Sequence, residues 1–185
     1  MSKKNKRSFE NCPGCVTGHV KLLLHDLSRL NVRVNAKSLL RTWLFHPGFR
    51  SVVSVRIMNH AYAKQRFRLA LLLRTRNISK YGIDVFPGCR IESGLRIEHP
   101  VGIVIGRGVV IGKNVTLMAG VVLGQRDLRA QILGPSPVLG NEVTVASHVC
   151  IYGAVSIPEG SFVRSKALVT ENDLTQVVKA INKGN

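Results

Sequence analysis

Few aromatic side chains, few cysteines and few acids mark this chain of 185 residues. Phe, Trp and Tyr make up 5% of it while 45% is hydrophobic, so a core must be built from Val, Ile, Leu and small residues. No run of 18 apolar residues occurs, which argues against a membrane-spanning helix. The start, Met1 to Arg7, is basic and leads into no apolar run, so no signal peptide is expected and the cytoplasm is the expected compartment. The cysteines are Cys12, Cys15, Cys89 and Cys150. Cys12 and Cys15 have the C-x-x-C spacing but lack the second pair that a structural zinc needs, so no metal is expected. They read as reduced thiols near the N-terminus, and Cys89 and Cys150 as small residues of a β core.

Acids are not only few but unevenly placed. Residues 1–82 hold 17 Lys and Arg against Glu10 and Asp26, a net of +15, while residues 83–185 hold 10 against 8. The N-terminal part is therefore expected to attract an anionic partner, or to present a solvated basic face. An acidic membrane surface, which would put the protein at the inner face of a membrane, and an acidic glycan are the candidates. Nucleic acid is excluded as the weakest, because no recognition motif and no aromatic stacking platform accompany the charge.

Residues 1–80 read as a basic helical segment. Val20 to Leu30 places apolar residues at helical spacing, and Asn35 to Phe45 reads as a second helix with Asn35 as N-cap. His46-Pro47-Gly48 is expected to break it. Phe49 to Arg74 then reads as one long basic helix. Its apolar set, with Val52, Val53, Val55, Ile57, Met58, Phe67, Leu69, Leu71 and Leu72, is expected to pack in a core or to lie on a membrane surface, packing being the first choice.

From residue 81 to about 170 a period of six takes over. Val85, Ile91, Ile97, Ile103, Val109, Val115 and Val121 open successive hexads, and after a break Val143, Val149 and Val155 resume them. Such a period specifies a three-sided coil of short parallel strands. Aliphatic residues stack inside, and Gly or small residues turn the corners. The fold class expected is mainly β, a left-handed parallel β-helix preceded by a basic α-helical segment. The break at residues 125–136 is expected to be an external loop at a corner, where function often lies. The tail from residue 171 reads as a short helix or a frayed end.

Pro47-Gly48-Phe49-Arg50, Gly82-Ile83-Asp84-Val85-Phe86-Pro87-Gly88 and Ile97-Glu98-His99-Pro100-Val101-Gly102-Ile103-Val104-Ile105-Gly106 resemble the serine acetyltransferase branch of the hexapeptide-repeat acyltransferases. The resemblance covers roughly residues 46–170. It implies that His99 is the general base, taking the proton of an acceptor hydroxyl that attacks the thioester of acetyl-CoA. Imidazole titrates closest to neutrality of all side chains, which suits that work. It implies that Asp84 orients His99, although a turn of 18 residues would stack His99 on residue 81. It further implies a homotrimer, which could pair into a dimer of trimers, with acetyl-CoA held between neighbouring prisms. Gly124, Ser147, Arg164, Ser165 and Lys166 match cofactor contacts, and no metal is called for. Glu98, Arg126 and Arg129 are the candidate acceptor-binding residues.

The departures bear on the acceptor. The resemblance implies an Arg-His-Pro segment holding the acceptor's carboxylate, but Pro135-Ser136-Pro137 stands there, and Glu98 replaces an aspartate. The leading expectation is therefore O-acetylation of a saccharide hydroxyl in a capsule, an exopolysaccharide or a lipid-linked glycan. The alternatives are a serine O-acetyltransferase of cysteine biosynthesis and an inactive solenoid serving as a binding module.

Overall fold

The structure, a computed structural model, describes residues 19–33, 35–126, 134–171 and 181–182. Four helices come first: α1 (His19–Ser28), α2 (Ala36–Phe45), α3 (Pro47–Ala63) and α4 (Phe67–Tyr81). The strands then follow in turns of three. They are β1 (Ile83–Val85), β2 (Arg90–Ile91) and β3 (Arg96–Ile97), then β4 (Ile103–Ile105), β5 (Val110–Ile111) and β6 (Thr116–Leu117). The third turn is β7 (Val122–Gly124), β8 (Val138–Leu139) and β9 (Thr144–Val145), and the fourth is β10 (Cys150–Tyr152), β11 (Ser156–Ile157) and β12 (Phe162–Val163). β13 (Leu168–Thr170) opens a fifth turn, and β14 is Ile181–Asn182.

Every third strand pairs in parallel, which gives the three faces of a prism: β1-β4-β7-β10-β13, β2-β5-β8-β11 and β3-β6-β9-β12. The helix or frayed end expected of the tail is not what its described part forms. Ile181–Asn182 pairs antiparallel with β12 and closes the last face. Two residues per hexad point inward, for example Ile103 with Ile105 and Val121 with Leu123, and all four are essentially solvent-free. Only aliphatic side chains fit so narrow a prism, which accounts for the scarcity of aromatics.

The period is not uniform. Ile83 pairs with Ile103 and Ile97 with Leu117, 20 residues apart, whereas Ile105 pairs with Leu123, 18 apart. The hexads read from Val85 to Ile97 are thus two residues out of phase with those that follow. An insertion of two preserves the in–out alternation of a strand, so hydrophobicity alone cannot reveal it. The extra pair falls at His99.

The helices depart further from expectation. Asn35 is the N-cap of α2, its Oδ1 accepting from Ser38 N–H at 2.8 Å. Pro47 does not merely break a helix: it opens α3, whose N-cap is His46. The single helix expected over Phe49–Arg74 is two. Gln65 takes a left-handed φ of +59°, Arg66 N–H donates to Ala61 O at 2.9 Å, and the chain turns back into α4. Val52, Val55 and Met58 are buried as expected, but Ile57, Phe67, Leu69, Leu71 and Leu72 face outward.

A buried ion pair fastens the helices to the prism. Arg56 donates from Nε and Nη2 to the Asp26 carboxylate at 3.0 and 3.1 Å, and also to the Ile91 and Glu92 carbonyls at 2.6 Å each. Asp26 Oδ1 in turn accepts the backbone N–H groups of Gly94 and Leu95 at 2.8 and 2.9 Å. One of the two acids of residues 1–82 is therefore buried in the seam. Cys89 is buried as expected, while Cys150 is only half-buried, because position 150 faces out of its sheet.

Candidate active site

His99 occupies the corner between β3 and β4, the first turn of one edge of the prism. Up that edge Gly102, Gly120, His148 and Lys166 stack with φ of +66°, +70°, +59° and +64°. Their N–H groups donate to Gly82, Val101, Ala119 and Ser147 carbonyls at 2.8, 2.8, 2.8 and 3.0 Å. Only two residues separate Leu117 from Gly120, but four separate Ile97 from Gly102, so the lowest corner bulges. Within the bulge Val101 N–H donates back to His99 O at 2.8 Å, a tight turn that holds the histidine exposed with Val101 beside it. His148 leans over Gly120 on the same edge: a Cβ at Gly120 would lie 2.3 Å from its Nδ1.

The strand that delivers His99 is pinned from below. A Cβ on Gly48, in the first turn of α3, would lie 1.8 Å from the Ile97 carbonyl oxygen. Helix and strand therefore meet backbone to backbone, a contact that only glycine permits. This is a physical reason for glycine in Pro47-Gly48-Phe49-Arg50.

Asp84 stands in β1. It points out of β1 in one column with Val104, Val122, Cys150 and Leu168. Arg74 of α4 grips its carboxylate with two hydrogen bonds, 2.6 and 2.9 Å, and those bonds raise the guanidinium's pKa further. Arg74 and Arg107 also stack on Phe86, at 5.3 and 5.4 Å from the ring centre. Within the described chain the partner of Asp84 is thus Arg74, and no ion pair with His99 forms. Nothing in the sequence marks Arg74 for this role, because it is one of many cations in the helical segment.

The cofactor candidates divide between two edges. Ser147, Arg164, Ser165 and Lys166 share the edge of His99, two and three turns above it, with the last three exposed. Gly124 ends β7 on the far side of the sheet, beneath Tyr152. Arg126 follows it at the second edge, 3.9 Å from Glu171, so the chain itself does not bring it to His99. Arg129 lies outside the described residues, as do Cys12 and Cys15. Glu98 forms an ion pair with Arg96 on the outer face of β3. Among the described residues no group of three His, Cys, Asp or Glu is placed to hold a metal ion.

Arg96 also lines a cleft of about 420 Å³ between α2, the turn after α1 and β3. Arg41, His46, Ser38 and Thr42 share it with Leu30 and Phe45, and no acid lines it. His46 Nδ1 accepts from Phe49 N–H at 3.2 Å, which leaves Nε2 as the protonated nitrogen. Arg96 Nε is buried without a partner. The cleft thus offers donors and positive charge beside the Glu98 that precedes His99.

Solved structures share this architecture. A serine acetyltransferase from Vibrio cholerae O1 biovar El Tor superposes with a TM-score of 0.72 at 22% identity, over 88% of this chain and 61% of that one. One from Neisseria gonorrhoeae in complex with serine gives 0.67 at 28%, over 82% and 65%. One from Brucella abortus strain S19 in complex with coenzyme A gives 0.69 at 26%, over 80% and 58%. The fold is the left-handed parallel β-helix of serine acetyltransferases. The chain spans about three fifths of the length of these neighbours. No family model and no curated protein matches it.

Proposed function

We propose that this chain is an acetyl-CoA-dependent O-acetyltransferase with His99 as general base. The observation that carries the reading is the bulged corner, which presents an exposed imidazole at the foot of an edge carrying Ser147, Arg164, Ser165 and Lys166. Neighbours of this fold include serine acetyltransferases in complex with coenzyme A and with serine, which supports the chemistry. His99 takes the hydroxyl proton as the oxygen attacks the thioester carbonyl. The C–O bond forms, the C–S bond breaks, and the proton passes to the departing thiolate. The edge residues hold the cofactor, Arg164 and Lys166 facing its phosphates and Gly124 lying across the sheet, in a site completed between subunits of a homotrimer. Arg74 takes one lone pair on each Asp84 oxygen and leaves a second on each, so Asp84 stays in the proposal as the orienting carboxylate, although the reading rests on His99.

For the acceptor, the comparisons favour serine, which the sequence alone ranked second, over a saccharide. One observation keeps the saccharide as a second reading: Pro135-Ser136-Pro137 carries no cation to hold a serine's carboxylate. Thiol release from acetyl-CoA, measured with serine, sialic acid oligomers and neutral glycans, separates the readings. His99→Ala is expected to lower turnover by about 10²–10⁴-fold with any productive acceptor, while coenzyme A still binds. Undiminished turnover in that variant overturns the assignment. No turnover with any acceptor favours a solenoid that only binds.

A further inference from the structure

We infer that the outer face of α4 is a docking surface for an anionic lipid membrane. This goes beyond the proposed reaction, because it concerns where the chain sits and not what it transfers. α4 packs inward through Ala70, Leu73, Asn77 and Tyr81, a stripe at helical spacing. Its other sides stay open. Leu69, Leu71 and Leu72 are 43%, 53% and 68% exposed, interleaved with Arg68 and with Arg76, which is exposed while donating one N–H to Ser54 Oγ of α3 at 3.3 Å. α2 repeats the composition, with Phe45 78% exposed on a helix that also carries exposed Lys37 and Leu40. Leucines standing out of a basic surface suit a bilayer interface: the apolar side chains enter the acyl boundary and the arginines meet the headgroups.

Charge selects this occupant over a second copy of the chain. Residues 36–82 contain no Asp or Glu, so two such faces would oppose cation to cation. The β-helix has little to offer in exchange. Of its described acids, Asp84, Glu92, Glu98 and Glu171 already pair with Arg74, Arg90, Arg96 and Arg126 of their own chain, which leaves Glu142 and Glu159 against a face of many cations. A bilayer rich in acidic lipid supplies both the missing anions and an apolar phase. A nucleic acid supplies anions but no place for the leucines.

Sedimentation of the full chain with vesicles tests the inference. Binding is expected to vesicles of phosphatidylcholine with phosphatidylglycerol, at least ten-fold above phosphatidylcholine alone, and to weaken as salt is raised. Leu71→Ser with Leu72→Ser, and separately Arg68→Glu with Arg76→Glu, are each expected to lower that binding at least five-fold. Neither pair should change turnover on a water-soluble acceptor, which separates this inference from the proposed reaction. Binding that survives both pairs of changes overturns the assignment to α4. So does a leucine pair that halves the mass in solution without affecting vesicles, which makes the face a contact between copies. Competition by single-stranded RNA that is unaffected by the leucine changes also overturns it.

Discussion

Four carboxylates of the β-helix sit against an arginine of the same chain, whereas residues 36–82 contain no carboxylate at all. The two regions differ in the same way in their apolar residues. In the prism the inward positions of each hexad are almost all Val, Ile or Leu and are nearly solvent-free, while in α4 Leu69, Leu71 and Leu72 point out. Residues 83–185 thus come near charge balance, 10 Lys and Arg against 8 acids, and enclose their own core. The helical layer does neither, and it holds its place through a few contacts at the seam. The seam also carries the base of the candidate site, since it pins β3 just before His99. Disturbing it tests how far the layer depends on the prism and the prism on the layer.

The largest effect is expected at the Asp26–Arg56 pair. Asp26→Ala leaves Arg56 buried without its counter-charge and removes the acceptor of the Gly94 and Leu95 N–H groups. A loss of about 3–5 kcal/mol is expected, because an uncompensated buried charge costs far more than an intact pair contributes. Urea unfolding followed by circular dichroism measures it. A loss under about 1 kcal/mol would show that the arginine finds water and that the seam is open.

Gly48→Ala should come next. The added methyl would overlap the Ile97 carbonyl, and that neighbour is backbone, so α3 or β3 must move. Overpacking of this kind costs about 3 kcal/mol. Because β3 leads directly to His99, turnover should fall by more than the folded fraction does. Unaltered activity per folded molecule would mean that α3 yields and the prism does not, making the prism the independent partner.

These two contacts mark where the sequence stops being legible. The prism could be read because each hexad repeats one demand, an aliphatic residue inside and a tight corner outside. Its phase could not, because an insertion of two residues at His99 leaves alternation intact. The break at Gln65 was hidden for a different reason: the left-handed position that ends α3 carries neither Gly nor Pro, the usual signals. Arg56 and Arg74 read as two more cations among many. Only the fold, by bringing Asp26 and Asp84 to them, makes one a buried clamp and the other the holder of the expected orienting carboxylate.

The smallest effect concerns Cys89, at the first corner of the prism, where Asn59 of α3 reaches its carbonyl at 3.3 Å. Burial pushes its thiol from 9.0 up to about 12, and the sulfur donates to Gly106 O at 3.1 Å. Below pH 9 both folded and unfolded chains keep the proton, so the site adds no pH dependence. Above it the unfolded chain releases the proton while the folded chain retains it, and stability falls until the folded thiol also ionises near 12. The slope is about 1.4 kcal/mol per pH unit for one group. Other groups titrate in this range, so the quantity to measure is the difference between the parent and Cys89→Ala in urea midpoint from pH 8 to 10.5. The gap should change with pH only above 9, in the direction of a parent that loses stability faster. A gap independent of pH would mean that the thiol ionises in place, and that the first turn, where the layer meets the prism, admits water that the later turns exclude.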